Sequence, residues 1–188
     1  MLKPVKTDVS FPKLEEEILS FWRSEKIMKK GLEHNKGQTP YVFYDGPPFA
    51  TGLPHYGHLL AGTLKDIVPR YWVMKGKYVE RRWGWDCHGL PIELKVVKEF
   101  PGLKPEELKA KCRSYASEWI AIQKEEFKRL GVVMDWANPY LTMSGQYEAD
   151  TVRAFGKFVE KGYISRKNKT VSWCASCQTV LAAAEIDI

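Results

Sequence analysis

No stretch of this sequence approaches the ~18 apolar residues that a membrane-spanning helix requires. The opening residues, Met1-Leu2-Lys3-Pro4-Val5-Lys6-Thr7-Asp8, lack the apolar run of a secretory leader. A cytoplasmic protein with no membrane partner is therefore expected. Cysteine is scarce, with four in 188 residues, at 87, 112, 174 and 177. That uneven spacing in a chain without a leader argues against a disulfide framework. It leaves metal or redox chemistry for the one closely spaced pair, Cys174-x-x-Cys177. No Gly-Lys-Ser/Thr follows the loop near residue 50, so it is not a Walker phosphate loop, and the dinucleotide pattern Gly-x-Gly-x-x-Gly is missing there too. Internal repeats and low-complexity tracts are absent.

What the chain does contain is enough for a packed core. Its length corresponds to about one domain. Apolar residues make up 44% and aromatics 13%, which excludes wholesale disorder. The net charge is +6, a surplus that suits a polyanionic partner or a solubilising surface.

Period and punctuation give an α/β pattern. Ser10 and Pro12 open a predicted helix over 11–30, with Leu14, Ile18, Phe21, Trp22 and Met28 on one stripe. Tyr41-Val42-Phe43-Tyr44 reads as a buried strand ending at Asp45. A helix over 56–74 follows, its stripe formed by Leu59, Leu60, Leu64, Ile67, Val68, Tyr71 and Trp72, with a kink or break expected at Pro69. Residues 78–83 read as a second strand, parallel to the first through this crossover helix. Residues 84–90 are the loop after it. Helices over 91–100, 105–130 and 146–161 come next, and a third strand over 170–173 leads into the cysteine pair. The predicted class is α/β with a mostly parallel sheet.

In open parallel sheets ligands sit beyond the carboxyl ends of strands. The loop after the first predicted strand, residues 46–54, runs into His55-Tyr56-Gly57-His58 at a helix start. A helix N-terminus offers free N–H groups and a partial positive charge. Residues three apart share one helical face, so both imidazoles can address one anion, and Gly57 lets a flat ring approach the backbone. Cys174 and Cys177 supply half of a tetrahedral zinc ligand set. Lys65, Arg70, Lys75, Lys77, Arg81 and Arg82 outnumber Asp66 and Glu80, as on an RNA-facing or a solvated face.

Taken whole, the stretch from Tyr44 to His58 (Tyr-Asp-Gly-Pro-Pro-Phe-Ala-Thr-Gly-Leu-Pro-His-Tyr-Gly-His) resembles the signature of class I aminoacyl-tRNA synthetases, whose hallmark is His-Ile-Gly-His. Tyr56 takes the second place here. The fit is closest to the isoleucyl branch, and valyl and leucyl relatives are the alternatives. Lys65-Asp66-Ile67-Val68-Pro69-Arg70-Tyr71-Trp72, the run Arg81 to Glu93, Phe127 to Val132, Asp135-Trp136, Asn138-Pro139-Tyr140 and Trp173-Cys174 are similar to the same family.

The resemblance implies the N-terminal half of a Rossmann-like nucleotide-binding fold. Residues 1–39 would be an N-terminal helical extension and 40–168 the first half of the catalytic domain. Residues 169–188 would begin a zinc-bearing stalk leading to an editing domain that this chain lacks. It implies ATP-dependent activation of isoleucine and its transfer to tRNA, with Mg2+ accompanying ATP and Zn2+ in the full-length chain, which is expected to be a monomer. His55 and His58 would be catalytic and, with Gly57, bind ATP. Gly46, Pro47 and Asp86 would bind the amino acid, Asp86 through its ammonium group. Cys174 and Cys177 would be half a zinc site completed by a second cysteine pair. Cys87 reads as a small packed residue. No Lys-Met-Ser-Lys-Ser loop occurs, so the fragment alone is expected to be inactive, and a non-catalytic truncated binding fragment that keeps the fold is the alternative reading.

Overall fold

The computed structural model describes residues 8–44, 46–183 and 186. Asp45, the predicted end of the first strand, lies outside the described residues. The chain divides into two compact units, one ending at Glu148 and one starting at Ala149.

The first unit opens with α1 (Phe11–Ser24) and α2 (Ile27–Glu33). A single helix was expected here. Lys26 takes a left-handed conformation, φ 54°, and breaks it in two. Ser24-Glu25-Lys26 contains neither glycine nor proline, so nothing in the local sequence marks the break. Asn35, also left-handed, donates from Nδ2 to the carbonyls of Val73 (2.6 Å) and Lys77 (3.1 Å). That ties the polar connection to the far end of the next helix, α3 (Tyr56–Met74).

α3 runs through Pro69 without ending. Its buried stripe is Gly62, Asp66 and Pro69, while Leu60, Leu64, Ile67 and Tyr71 are exposed. Leu59, Val68 and Trp72 of the expected stripe are half-buried, so the inward face was legible only in part. Gly62 packs against the Phe127 and Trp83 rings, which a Cβ would meet at 3.8 Å. Asp66 then reaches into the core. Its carboxylate pairs with Arg70 Nε (2.6 Å) and Arg81 (3.5 Å) and accepts from Val133 N (3.1 Å). Burying that carboxylate demands such partners. Together they dock α3 on both neighbouring segments.

The parallel sheet is smaller and placed later than predicted. Its one ladder joins β1 (Gly84–Trp85) to β2 (Tyr140–Leu141), with Gly84 opposite Tyr140 and Trp85 opposite Leu141. β1 occupies the start of what was read as the 84–90 loop. β2 had no signal in the sequence beyond Asn138-Pro139. The predicted strands at 41–44 and 78–83 do not form a ladder. Among the described residues, their segments pair through two parallel bridges, Pro40 with Tyr78 and Phe49 with Asp86. The first segment carries one residue more than the second between these bridges. Pro47 and Pro48 also have no N–H to give. The segment therefore bows away like an extended bulge, and a cavity of about 610 Å³ opens between the two.

Helices α4 (Leu90–Glu99) and α5 (Pro105–Arg129) pack together and over the sheet. Ala50, Trp83, Trp85, Cys87, Ile92, Ala116, Phe127, Val132 and Met134 form the core between them. Gly131, at φ 75°, ends α5. Helix α6 (Gly145–Glu160) carries the chain into the second unit. That unit ends in an antiparallel hairpin of β3 (Trp173–Cys174) and β4 (Thr179–Val180). The predicted third strand at 170–173 is thus two residues long, shifted onto Cys174, and paired with its own successor rather than with the parallel sheet. No helix among the described residues is long and apolar enough to cross a membrane.

Candidate active site

The start of α3 is built by its own histidines. His55 is the N-cap, in extended backbone, and its Nδ1 accepts from Gly57 N at 3.1 Å. His58 Nδ1 in turn accepts from His55 N at 3.2 Å. This is a reciprocal capping arrangement in which imidazoles replace the usual hydroxyl and carboxylate. The ring centroids lie 3.9 Å apart.

Both Nδ1 atoms accept, so in the neutral rings the proton sits on Nε2. Each histidine then keeps one N–H donor, while the N–H groups of the first turn are largely taken up by the capping rings. Burial, and after it the neighbouring His55, hold the His58 pKa below the ordinary histidine value. Gly57 is needed for this packing. A Cβ there would fall 2.9 Å from His55 Cε1 and 3.0 Å from its Nδ1. The flat ring that lies against Gly57 is the His55 imidazole.

Asp86 follows β1 directly. Its backbone is held on both sides: Ala50 N donates to its carbonyl, and its own N–H donates to Pro48 O, each at 2.8 Å. Its Oδ1 accepts from His88 N (3.3 Å) and from the Thr142 hydroxyl (3.4 Å). Thr142 also accepts from Cys87 N at 2.8 Å, so a buried residue just beyond β2 steadies both Asp86 and its neighbour. Cys87 is buried, its Sγ donates to Trp85 O at 3.4 Å, and burial pushes its thiol pKa up. It is a packed thiol.

Gly46 is exposed, and its carbonyl accepts from Lys65 Nζ at 2.8 Å. Pro47 is half-buried and lines the bowed cavity together with Lys65, Trp83 and Tyr140. The Lys65 ammonium stands 5.3 Å from the centre of the Trp83 ring, and burial lowers its pKa. The structure therefore sets Pro48 and Phe49 beside Asp86 at the carboxyl end of β1, while Pro47 lies earlier on the same segment, in the cavity wall, with Gly46 before it. His55, Gly57 and His58 stand at the start of the helix that leaves this edge. Asp86 and the histidines do not line the cavity.

Cys174 and Cys177 lie in the second unit, at the tip of the β3–β4 hairpin. Cys177 N donates to Cys174 Sγ at 3.3 Å. That backbone bond is the leading cause of a lowered Cys174 pKa. No group of three or more His, Cys, Asp or Glu side chains suited to a metal occurs among the described residues. The two thiols thus remain half of a tetrahedral set.

Sequence reasoning singled out neither Thr142 nor Gln123. Both are buried polar residues amid apolar neighbours. A lone polar residue on an otherwise apolar helix stripe was the only available signal for Gln123.

Residues 17–188 match the family model described as tRNA synthetases class I (I, L, M and V). The isoleucine–tRNA ligase of Desulforamulus reducens is 46% identical over 182 residues, covering 95% of this chain and 20% of that protein. The isoleucine–tRNA ligase of Brachyspira hyodysenteriae is 48% identical over 178 residues, covering 92% and 19%. Among solved structures, agnB2 LeuRS of Agrobacterium radiobacter K84, in its ternary LeuRS-tRNA-LeuAMS complex, superposes with a TM-score of 0.69. It is 27% identical and covers 88% of this chain and 20% of that one. The chain spans about a fifth of the length of the curated relatives it matches.

Proposed function

We propose that this chain, which belongs to the class I tRNA synthetases (I, L, M and V), forms the N-terminal part of an isoleucine–tRNA ligase. In that reaction the carboxylate of isoleucine attacks the α-phosphate of ATP, pyrophosphate leaves, and the aminoacyl group of the resulting adenylate passes to tRNA with release of AMP. The protein's contribution is position and electrostatics at a crowded, negatively charged phosphorus.

One observation carries the reading. The loop that feeds the two-histidine helix is bonded to the Asp86 backbone on both sides, so a helix start capped by two histidines and a carboxylate share one strand edge. On this reading the Nε2–H groups of His55 and His58 donate to ATP oxygens, and Gly57 gives adenine a flat approach once the His55 ring has moved off it. Asp86 meets the isoleucine ammonium in a charge-assisted bond, and Gly46 and Pro47 form the pocket wall. Mg2+ would enter with ATP. Cys174 and Cys177 would hold Zn2+ jointly with a second thiol pair. Residues 1–39, 40–168 and 169–188 would serve as helical extension, half of the nucleotide fold and the start of a stalk. Isoleucine and tRNA are the substrates, and a cytoplasmic monomer is the working form.

The test is isoleucine-dependent ATP–pyrophosphate exchange in a full-length ligase built on this segment. Replacing His58 with Ala removes one donor and is expected to slow exchange on the order of 100-fold. Asp86→Asn keeps the shape and loses the charge, so the isoleucine KM should rise while the ATP KM stays close to its original value. An unchanged rate in the first variant, or equal loss of both affinities in the second, sinks the corresponding role. The 188-residue chain alone should not charge tRNA, and charging that survives in purified fragment but disappears with His58→Ala would overturn that expectation.

A further inference from the structure

Gln123 is the most deeply buried of the hydrophilic side chains among the described residues of the first unit, at 1% exposure. An amide loses free energy on burial unless both of its ends are bonded. Here both are. Its Oε1 accepts from Trp85 Nε1 at 2.9 Å. Its Nε2 faces the carbonyl oxygens of Gly52 (2.8 Å), Phe49 (3.1 Å) and Thr51 (3.3 Å). The indole can only donate and the carbonyls can only accept, so the amide has a single satisfactory orientation.

The placement of those partners matters more than their number. Trp85 is the last residue of β1 and precedes Asp86. Residues 49–52 form the turn that leads into His55, and Gly52 takes a left-handed conformation, φ 68°, within it. One side chain on α5 therefore holds both the strand that presents the carboxylate and the loop that presents the imidazoles. Two turns earlier on the same helix, the Tyr115 hydroxyl lies 2.9 Å from Thr51 Oγ1. α5 thus grips the loop at a second point.

We propose that Gln123 is a positioning residue that sets the spacing between the Asp86 side and the His55–His58 side of the site. It touches neither substrate and acts through the 49–52 carbonyls. Its effect on catalysis rests on the isoleucine–tRNA ligase reading, whereas the clamp itself does not.

Two variants separate the parts. Gln123→Glu keeps the length and the acceptor for Trp85, but sets a carboxylate oxygen against the three carbonyls. Gln123→Met keeps the bulk and loses every bond. Hydrogen exchange on the 188-residue chain should show the amides of residues 50–58 opening at least about tenfold faster in Gln123→Glu, since the loss of one net hydrogen bond alone accounts for that much. The amides of α4 should stay near their original rates. Exchange that accelerates uniformly across the first unit overturns the proposal, because Gln123 is then only a core residue. Exchange that does not change at 50–58 overturns it as well. Should Gln123→Met fail to fold, Gln123→Glu decides alone.

In a full-length ligase built on this segment, Gln123→Glu should raise the ATP KM about tenfold, again near one hydrogen bond. The isoleucine KM should change far less, since Thr142 and the backbone still hold Asp86. A loosened loop with both KM values unchanged overturns the role in spacing the site. An unmutated ligase that shows no isoleucine-dependent exchange would instead sink the ligase reading, and hydrogen exchange alone would then judge the clamp.

Discussion

The edge around Asp86 and the hairpin around Cys174 both present reactive side chains in short loops, but they are held very differently. The first is backed by fully buried residues, with Trp85, Ala50 and Gln123 at 0, 0 and 1% exposure. The second contains no buried residue: Trp173 is 60% exposed, and only Cys174 and Thr179 are partly covered. One is an edge whose geometry is fixed by the packing behind it. The other is a pair of thiols aligned only by a turn. Pre-organisation in this chain follows burial, and the motif alone does not supply it.

The largest test of that contrast is a matched pair of tryptophan truncations. Trp85→Ala leaves a large void and strands the Gln123 carbonyl, and should destabilise the first unit by about 3–5 kcal/mol in urea denaturation. Trp173→Ala should stay within about 0.5 kcal/mol, as surface changes do. Similar losses in the two would erase the distinction.

A smaller effect is expected at Gly84. A Cβ there would overlap the ring of Tyr140, its partner across the ladder. Gly84→Ala should therefore cost about 1–3 kcal/mol through overpacking. The double variant with Tyr140→Ala should recover part of that, and strict additivity would show that the two residues do not meet.

The subtlest tests use pH. The pKa of His58 is lowered in the folded chain, so the unfolded chain binds more protons below the ordinary histidine value. This contribution to stability is present above that value and fades as pH falls through it. NMR titration should place the His58 midpoint below that of a free histidine, and His55→Gln should move it part of the way back. Cys174 behaves as the counterpart at the hairpin. Its thiol should react with iodoacetamide at lower pH than Cys112, whose pKa is raised by burial and by Glu93. A Cys112 that reacts first would break the ordering.

Much of the helical content was readable because capping and stop signals are local. Pro105 and Gly131 bracket α5, and Gly162 follows α6, as expected from helix chemistry. The sheet was harder. The run 41–44 has strand composition, yet its ladder never closes, because a single surplus residue and two prolines lie between the bridges at Pro40 and Phe49. β2 was invisible because two residues carry no period. The α3 stripe misled for a different reason. Hydrophobicity marked Leu60, Leu64 and Ile67, but the helix packs Gly62 against Trp83 and Phe127 and turns Asp66 inward to meet Arg81.

The sequence by itself determined the family, through long matches around His55-Tyr56-Gly57-His58 and Trp85-Asp86-Cys87-His88, and it determined which residues carry the candidate chemistry. Such motifs are contiguous, so residue order alone reveals them. Only the tertiary structure decided what holds them in place. Gln123 lies 38 residues beyond Trp85, and Thr142 lies 55 beyond Cys87. Hydrogen bonds across such separations come into being only when the chain has packed, because desolvation then makes each buried polar group seek whichever partner the fold has brought within reach.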